Sequence, residues 1–450
     1  METLADAVKR ALLAALVTLG LSFPIVALRT DTNLSNQLVL TQRWGLMFSL
    51  AAVAFAGVLL IELLRPWAAR RAAERRIKAA TSTAPPHPFL RALPRIGLAF
   101  LIAYPLIALV VSLAGGPGLL KLVDTYGIQI LIYVLLGLGL NIILGLAGLL
   151  DLGFVAFYAV GAYSSALLTT TFGLSFWIVL PLAGIFAALW GAMISLPVLR
   201  LRGDYIAIVT LAFAEIVRLV LVNWVPVTGG YAGISNIPKP TLFGLSLGPE
   251  AGSLTSLLGI PYSPIYRLAF MYYLVLALAL GAYWVTMRLR TLPVGRAWEA
   301  MREDEIACRS LGIDTTMTKV SAFAAGAFFG GLAGAFFSAH YGFVSPKSFE
   351  FLESAMIVAI VVLGGLGSAV GVAIAAIVMI GGTELLRELG VLKAVFGPQF
   401  DPAQYRMLLF GLAMVCLMVW RPKGLVATRE PTVRLKPKPQ RGAPALAAAE

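Results

Sequence analysis

Apolar residues fall in long blocks along this chain, with polar residues confined to short stretches between them. The blocks show neither the alternation of a half-buried strand nor the single apolar stripe of a surface helix. They are apolar on every side for about 20 residues, the length of helix that crosses about 30 Å of hydrocarbon. Twelve such blocks predict helices at roughly 11–28, 45–64, 96–114, 128–147, 152–171, 175–195, 205–223, 266–287, 319–341, 354–365, 369–386 and 405–420. The tenth is short. At about 1.5 Å per residue it covers little more than half the hydrocarbon, so it predicts a half-helix leading into the turn "VLGGLGS", residues 362 to 368.

Helices satisfy every backbone polar group within the segment, which a bilayer demands. The fold class expected is therefore an all-α integral membrane protein, a polytopic helical bundle of about 10–12 transmembrane segments. Composition agrees: of 450 residues, 59% are hydrophobic and 13% charged, with a mean hydropathy of +0.88. That lies far outside the range of soluble domains.

A net charge of +13 invites a nucleic-acid reading, but the basic residues are spread over short loops and form no single face. They carry orientation instead. Twelve crossings put the N-terminus, 65–95, 196–204, 288–318 and the C-terminal tail on one side, with 25 Lys and Arg including Lys319, against nine on the other. The positive-inside rule makes the first side cytoplasmic, with both termini there. Lys9 and Arg10 precede an apolar run as in a signal peptide, yet no small-x-small cleavage site follows, so 11–28 is read as a first span. Cys308 and Cys416 fall on the cytoplasmic side or in the membrane, where a structural disulfide is not expected.

The organisation predicted is a two-span module over 1–64, a basic and Pro-rich linker over 65–95, a core over 96–427 and a disordered tail over 428–450.

Candidate chemistry is sparse. There are two histidines, His87 and His340, and no cluster of metal-ligand spacing. No G-x-S-x-G, H-E-x-x-H or G-x-x-x-x-G-K-[ST] occurs, so the chain is not expected to hydrolyse ATP, and no catalytic residue or metal ligand is assigned. A transporter or channel fits better than an enzyme.

Charges inside spans cost about 2.5 to 3.5 kcal/mol each at the bilayer centre on insertion scales, so each needs a reason. Glu215 and Arg218 lie three residues apart on one helical face. They read either as a polar wall of a translocation path or as a neutralised pair that fixes packing. Asp151 sits at a junction, as a path residue or as the N-cap of the next helix. Glu62 is near a span end. Gly229 and Gly230, in the turn-rich "TGGYAGISNIPKP", complete the candidate path. Glycines at 137, 139, 145, 148, 153 and 161, and at 326, 330, 331 and 334, allow close helix approach. Ordinary packing explains them more simply than ligand contact.

One stretch between spans is polar yet helical: "GRAWEAMREDEIACRSLGID", residues 295 to 314. It predicts two short pieces, the first from about Val294 to Arg302 and the second capped by Asp304 and ended at Gly312. Ala297, Trp298, Ala300 and Met301 would supply apolar contacts, while Arg296, Glu299, Arg302 and Glu303 keep the first piece in water. A solvated loop needs neither Trp298 nor a cap; a docking element for another protein does.

These residues resemble the coupling segment of ABC importer permeases, in the version of the branched-chain amino acid (Liv-type) family. Other passages are similar in order, among them "GLGLNIILGLAGLLDLGFVAFYAVGAYSSALL", "LPVLRLRGDYIAIVTLAFAEIVRLVL", "GFVSPKSFEFLESAMIVAIVVLGGLGS" and "WRPKGL", so the resemblance covers about 128 to 425. The extra N-terminal module resembles the longer M-type subunit. Many shorter relatives have Ser-Leu-Gly-His where this chain has Asp151, Leu152, Gly153 and Phe154, so any role of that histidine does not transfer.

The resemblance implies an importer of branched-chain amino acids in a bacterial inner membrane. Its other parts would be a second, H-type permease, two cytoplasmic ATP-binding subunits and a periplasmic amino-acid-binding protein. This chain would bind no cofactor and no nucleic acid; ATP would be used by the partners. Coupling within 288–318 would fall to Arg296, Trp298, Glu299, Ala300, Met301, Asp304, Ala307, Leu311 and Gly312. Urea and short-amide importers share the family. A secondary transporter would need ion-coupling groups at the midplane, where only Glu215 and Arg218 qualify. A membrane enzyme ranks last.

Overall fold

The computed structural model describes residues 121–198, 203–241 and 264–382, shorter stretches at 4–23, 28–32, 38–42, 47–59, 99–108 and 424–426, and isolated positions between them. The predicted span 405–420, the linker 65–95, the tail 428–450, His87 and Cys416 lie wholly or mainly outside the described residues. Two compact units are distinguished, Met1–Arg95 and Ile96–Glu450.

In the first unit α1 (Leu4–Ser22) is followed by an antiparallel pair, β1 (Leu28–Thr32) and β2 (Leu38–Gln42), and by α2 (Met47–Leu59). The predicted first span is displaced: the helix starts earlier and Leu28 already belongs to a strand. Arg10 binds Glu62 at 3.0 Å, which joins the start of α1 to the chain beyond α2.

The second unit opens with α3 (Ala99–Ala108). A π-helical stretch, Leu122–Gln129, then leads into α4 (Ile130–Leu140), and α4 runs into a second π-helical stretch, Asn141–Leu146. After it come α5 (Val155–Thr171), α6 (Phe176–Val198), α7 (Asp204–Asn223), the single turn α8 (Val225–Thr228) and α9 (Pro264–Thr291). Two short helices, α10 (Pro293–Glu303) and α11 (Glu305–Ser310), precede α12 (Thr315–Tyr341). The unit closes with α13 (Phe351–Gly364) and α14 (Ala369–Ala376), the latter extended by π-helical Ile377–Gly381. A two-residue antiparallel pair, β3 (Ile234–Ser235) with β4 (Phe343–Val344), is the other sheet among the described residues.

Among the described residues, five helices are long and apolar enough to cross a membrane: Tyr126–Leu146, Phe176–Pro197, Tyr205–Asn223, Pro264–Thr291 and Thr315–Tyr341. Each coincides with a predicted span. The chain is a multi-pass membrane protein with a helical bundle. α13 has 14 residues, about 21 Å of helix, and turns back at Gly365 into α14, as the short tenth block suggested.

α12 is the hub, packed along α6 and α5 and against α4. Small residues bring the backbones together: a Cβ on Gly334 would collide with the Tyr158 carbonyl, and one on Gly331 would lie 2.5 Å from the Ala187 methyl. Where hydrocarbon surrounds the bundle, helices gain little from hiding apolar surface, so close packing of this kind supplies the association energy. The glycine-rich passages are accounted for as seams between helices.

Two polar bonds tie the ends opposite to α10 and α11. His340 Nε2 lies 2.7 Å from Asp124 Oδ1, and the Tyr133 hydroxyl donates to Glu353 at 2.6 Å.

Candidate functional site

The polar segment folds as two helices because three turns in succession are capped. Pro293 opens α10, where its missing N–H costs nothing. Asp304 is extended, at φ −158° and ψ 108°, and ends α10. Its Oδ1 accepts from the N–H groups of Ile306 at 2.8 Å and Ala307 at 3.0 Å, which starts α11. Gly312, at φ +81°, ends α11 in a Schellman motif: the Gly312 N–H donates to the Arg309 carbonyl and the Ile313 N–H to that of Cys308. Asp314 Oδ1 then accepts from Thr316 and Met317 and opens α12.

The pair is keyed into the bundle. Gly295 sits so tightly on the end of α9 that a Cβ would strike the Leu289 carbonyl. The Trp298 indole is buried, and its N–H is shared between the Thr318 carbonyl at 3.1 Å and Ser321 Oγ at 3.0 Å. Met301 is buried beside it. This corrects the expectation that Trp298 and Met301 offer a surface to another chain: the amphipathic turn of α10 aims them at α12 and the core. The residues left exposed are Leu311 at 80%, Ile306 at 68%, Met317 at 66% and Val294 at 44%. Arg296, Ala307 and Gly312 are exposed with them, and Ala300 is half-buried.

Ion pairs fix the rest. Glu299 binds Arg290 of α9 at 2.5 Å, so it braces α10 and does not merely solvate it. Glu305 receives the buried Lys319 ammonium at 2.9 Å and Arg309 at 3.3 Å, which ties α11 to α12. Burial pushes the Cys308 thiol up, and the charges of Asp304 and Glu305 add to it, so this cysteine is a poor nucleophile. Arg302, expected in water, departs furthest from the sequence reading: its guanidinium donates to the Gly145 carbonyl inside the bundle.

Asp151 lies in the connection between Leu146 and Val155 and is fully buried. It does not cap α5, whose N-cap is Phe154 without a side-chain bond. Its Oδ1 accepts from the Gly153 N–H at 2.8 Å, closing a turn of its own, and its Oδ2 has no partner among the described residues. Thr210 of α7 packs alongside and accepts from the Leu152 N–H at 3.2 Å. Burial raises the Asp151 carboxyl to about 6, partly offset by the Gly153 N–H bond and by the neighbouring Thr210 hydroxyl.

Glu215 and Arg218 are paired along α7, with Arg218 Nε 3.0 Å from both Glu215 oxygens. They are 45% and 24% exposed, with Tyr231 and Glu350 close enough to act on Arg218. Thr228 Oγ1 donates to the carbonyls of Leu221 and Trp224 and accepts from the Gly230 N–H, which makes the turn that Gly229 and Gly230 enter with positive φ. These glycines thus build a turn beside β3. No bond joins Asp151 to Glu215 or Arg218 among the described residues, so the candidate path residues do not form one cluster. Nor, among those residues, do three His, Cys, Asp or Glu side chains gather as metal ligands would.

A family model described as the branched-chain amino acid transport system permease component matches residues 122–418, two thirds of the chain. The chain belongs to this permease family. Residues 6–111 match a second model, a domain family of unknown function, which extends past the boundary at Arg95 to take in α3. Among curated relatives, the permease protein LivM of the high-affinity branched-chain amino acid transport system from Salmonella typhimurium is 50% identical over 311 residues, 68% of this chain and 70% of the relative. LivM of Escherichia coli is 49% identical over the same shares. The permease protein LivH of that system in Salmonella typhimurium is 25% identical over 66% of this chain and 92% of the relative. No solved structure matches this permease.

Proposed function

We infer that this chain is the membrane-spanning permease subunit of an ATP-driven importer that moves branched-chain, neutral amino acids inward across a bacterial inner membrane. The observation that carries the reading is the pair α10–α11, polar, triply capped and keyed into an apolar bundle, with Ile306, Leu311 and Met317 left uncovered. An apolar patch that a membrane protein keeps in water marks a contact with another protein. Membership of the permease family and similarity to the LivM proteins support the substrate class.

The roles divide by exposure. Gly295, Trp298, Glu299, Met301 and Asp304 hold the pair rigid, while Arg296, Ala307, Leu311 and Gly312 face an ATP-binding subunit, joined by Ile306 and Met317. ATP hydrolysis belongs to two such subunits on the side of the termini, the sequence having no phosphate loop. A periplasmic binding protein delivers substrate at the opposite end, and a second permease related to LivH completes the membrane part. Closure of the ATP-binding subunits moves the helix pair, and the bundle alternates its access.

Single cysteines at Leu311 and Ile306, in the chain co-expressed with its two candidate ATP-binding subunits, test the docking. With single cysteines also introduced on the membrane-facing surface of those subunits and a mild oxidant added, disulfide cross-links are expected from both positions and none from a cysteine at Trp224, exposed near the other end of α7. Cross-links from neither position would remove the assignment. Uptake into vesicles holding the full complex, competed with leucine, valine, alanine and urea, separates the amino acid reading from a urea or short-amide importer.

A further inference from the structure

Arg302 reaches from α10 into the bundle. Its Nη1 donates to the Gly145 carbonyl, in the π-helical stretch that ends α4. The stem of the side chain lies across Gly148, where a Cβ would stand 2.6 Å from Arg302 Cγ. The same Nη1 lies against Gly367, where a Cβ would be 3.5 Å away, in the turn between α13 and α14. One side chain thus meets the end of α4 and the tip of the α13–α14 hairpin with its guanidinium, and the connection that holds Asp151 with its stem.

That meeting point is irregular and incompletely hydrogen-bonded. A π-helical segment inside a span breaks the regular register, a feature that recurs at functional sites. The first residue of this one, Asn141, is buried; its Oδ1 accepts from the Gly367 N–H at 2.9 Å, and its Nδ2 has no partner among the described residues. So α4 and the hairpin are linked by a neutral hydrogen bond that leaves a buried donor unsatisfied, a contact easily exchanged for another. Gly365 and Gly367 both have positive φ, and the backbone of the segment 424–426 crosses the hairpin, with the Leu425 N–H on the Leu363 carbonyl at 2.8 Å. Arg302 brings a permanent charge and a planar set of donors to a carbonyl that a π-helix end leaves open.

Resting on the importer reading above, we propose that Arg302 is the positioning residue through which movement of α10–α11 reaches the bundle. Trp298 fixes α10 to α12, and Arg302 passes its displacement to the π-helical end of α4 and the hairpin tip. The two anchors differ in kind: Trp298 is packed, whereas Arg302 acts through its hydrogen bond to the Gly145 carbonyl, which changes partner when the bundle switches.

The test uses the complete complex, with both permeases, the ATP-binding subunits and the binding protein, in proteoliposomes. Arg302→Gln and Arg302→Lys are compared with the unaltered chain for substrate taken up per ATP hydrolysed, with co-purification of the ATP-binding subunits and melting temperature measured alongside. Arg302→Gln is expected to lower uptake per ATP about fivefold or more while the complex still assembles and melts as before, and Arg302→Lys, which keeps charge and reach, to recover part of it. Unchanged uptake per ATP in Arg302→Gln would overturn the proposal and leave the importer reading intact. So would a loss of uptake that merely tracks loss of assembly and is the same in Arg302→Lys, since that is a structural role. Absence of ATP-driven uptake with the unaltered chain would bring down the importer reading, and this proposal with it.

Discussion

Asp151 and Trp298 show how burial decides what a residue does here. The Asp151 carboxyl, raised to about 6 by burial, binds its proton more tightly in the folded chain than in the unfolded one, whose value is about 4. The sign follows. Below about pH 4 both states are protonated and no penalty exists; between about 4 and 6 it grows, and above 6 it is complete, on the order of 3 kcal/mol. Asp151→Asn keeps an acceptor for the Gly153 N–H and removes the charge, so it is expected to melt higher than the parent at pH 7.5, with the gap closing near pH 4. Melting curves in detergent from pH 4 to 8 check this; a gap independent of pH would contradict it. For Trp298, the Phe variant loses the two shared hydrogen bonds, about 1 kcal/mol, and the Ala variant loses the packing too, about 3 to 5 kcal/mol. Fluorescence-detected size exclusion after heating should rank them in that order. The sequence marked Trp298 as important because an indole is wasted in a loop. It could not say which way the ring points, because that depends on the angle at which α10 meets α12.

At the scale of elements, the caps of α11 were legible: Asp304, Gly312 and the break between the two helices are local chemistry, fixed by residues within a few positions of one another. Gly312 and Leu311 now separate shape from contact. Space around Gly312 is open but its φ is +81°, so Gly312→Ala is expected to cost about 1 kcal/mol of backbone strain and loosen the end of α11. Leu311→Ser, on a side chain 80% exposed, should leave melting unchanged yet weaken co-purification with the ATP-binding subunits. If Leu311→Ser destabilises the isolated permease instead, its exposure is not what the fold implies. The long spans were equally plain, since each is a continuous apolar run. The π-helical stretches at Leu122–Gln129, Asn141–Leu146 and Ile377–Gly381 left no mark in the pattern, because they shift hydrogen-bond partners within a helix without changing which residues are apolar. Of the two readings of Asp151, the N-cap fails at this scale: α5 starts three residues later than the pattern suggested, so its side chain closes a turn instead of capping a helix.

For the whole molecule, the second unit carries both the helix pair and the glycine seams, and α3 belongs to it: Tyr272 donates to the Leu101 carbonyl at 2.7 Å and stacks on Tyr104 at 5.5 Å. A chain beginning at Ile96 is therefore expected to insert and to melt within about 4 °C of the parent. One that begins after α3 should melt lower, because Tyr272 loses its stacking partner and a bond to a buried hydroxyl. Thermal melts of the two truncations compare them directly; equal values would mean that α3 contributes nothing to the core. The sequence by itself determined that this is a multi-pass helical membrane protein with one polar, capped helix pair, because span length, charge bias and helix caps are properties of neighbouring residues. Only the tertiary structure decided that Trp298 and Met301 face inward, that Glu299 is a brace, and that Arg302 reaches Gly145 and Gly367, which are 157 and 65 positions away along the chain. Those contacts depend on how helices far apart in sequence cross, and close approach at glycine, which sets the crossings, carries no record of its partner.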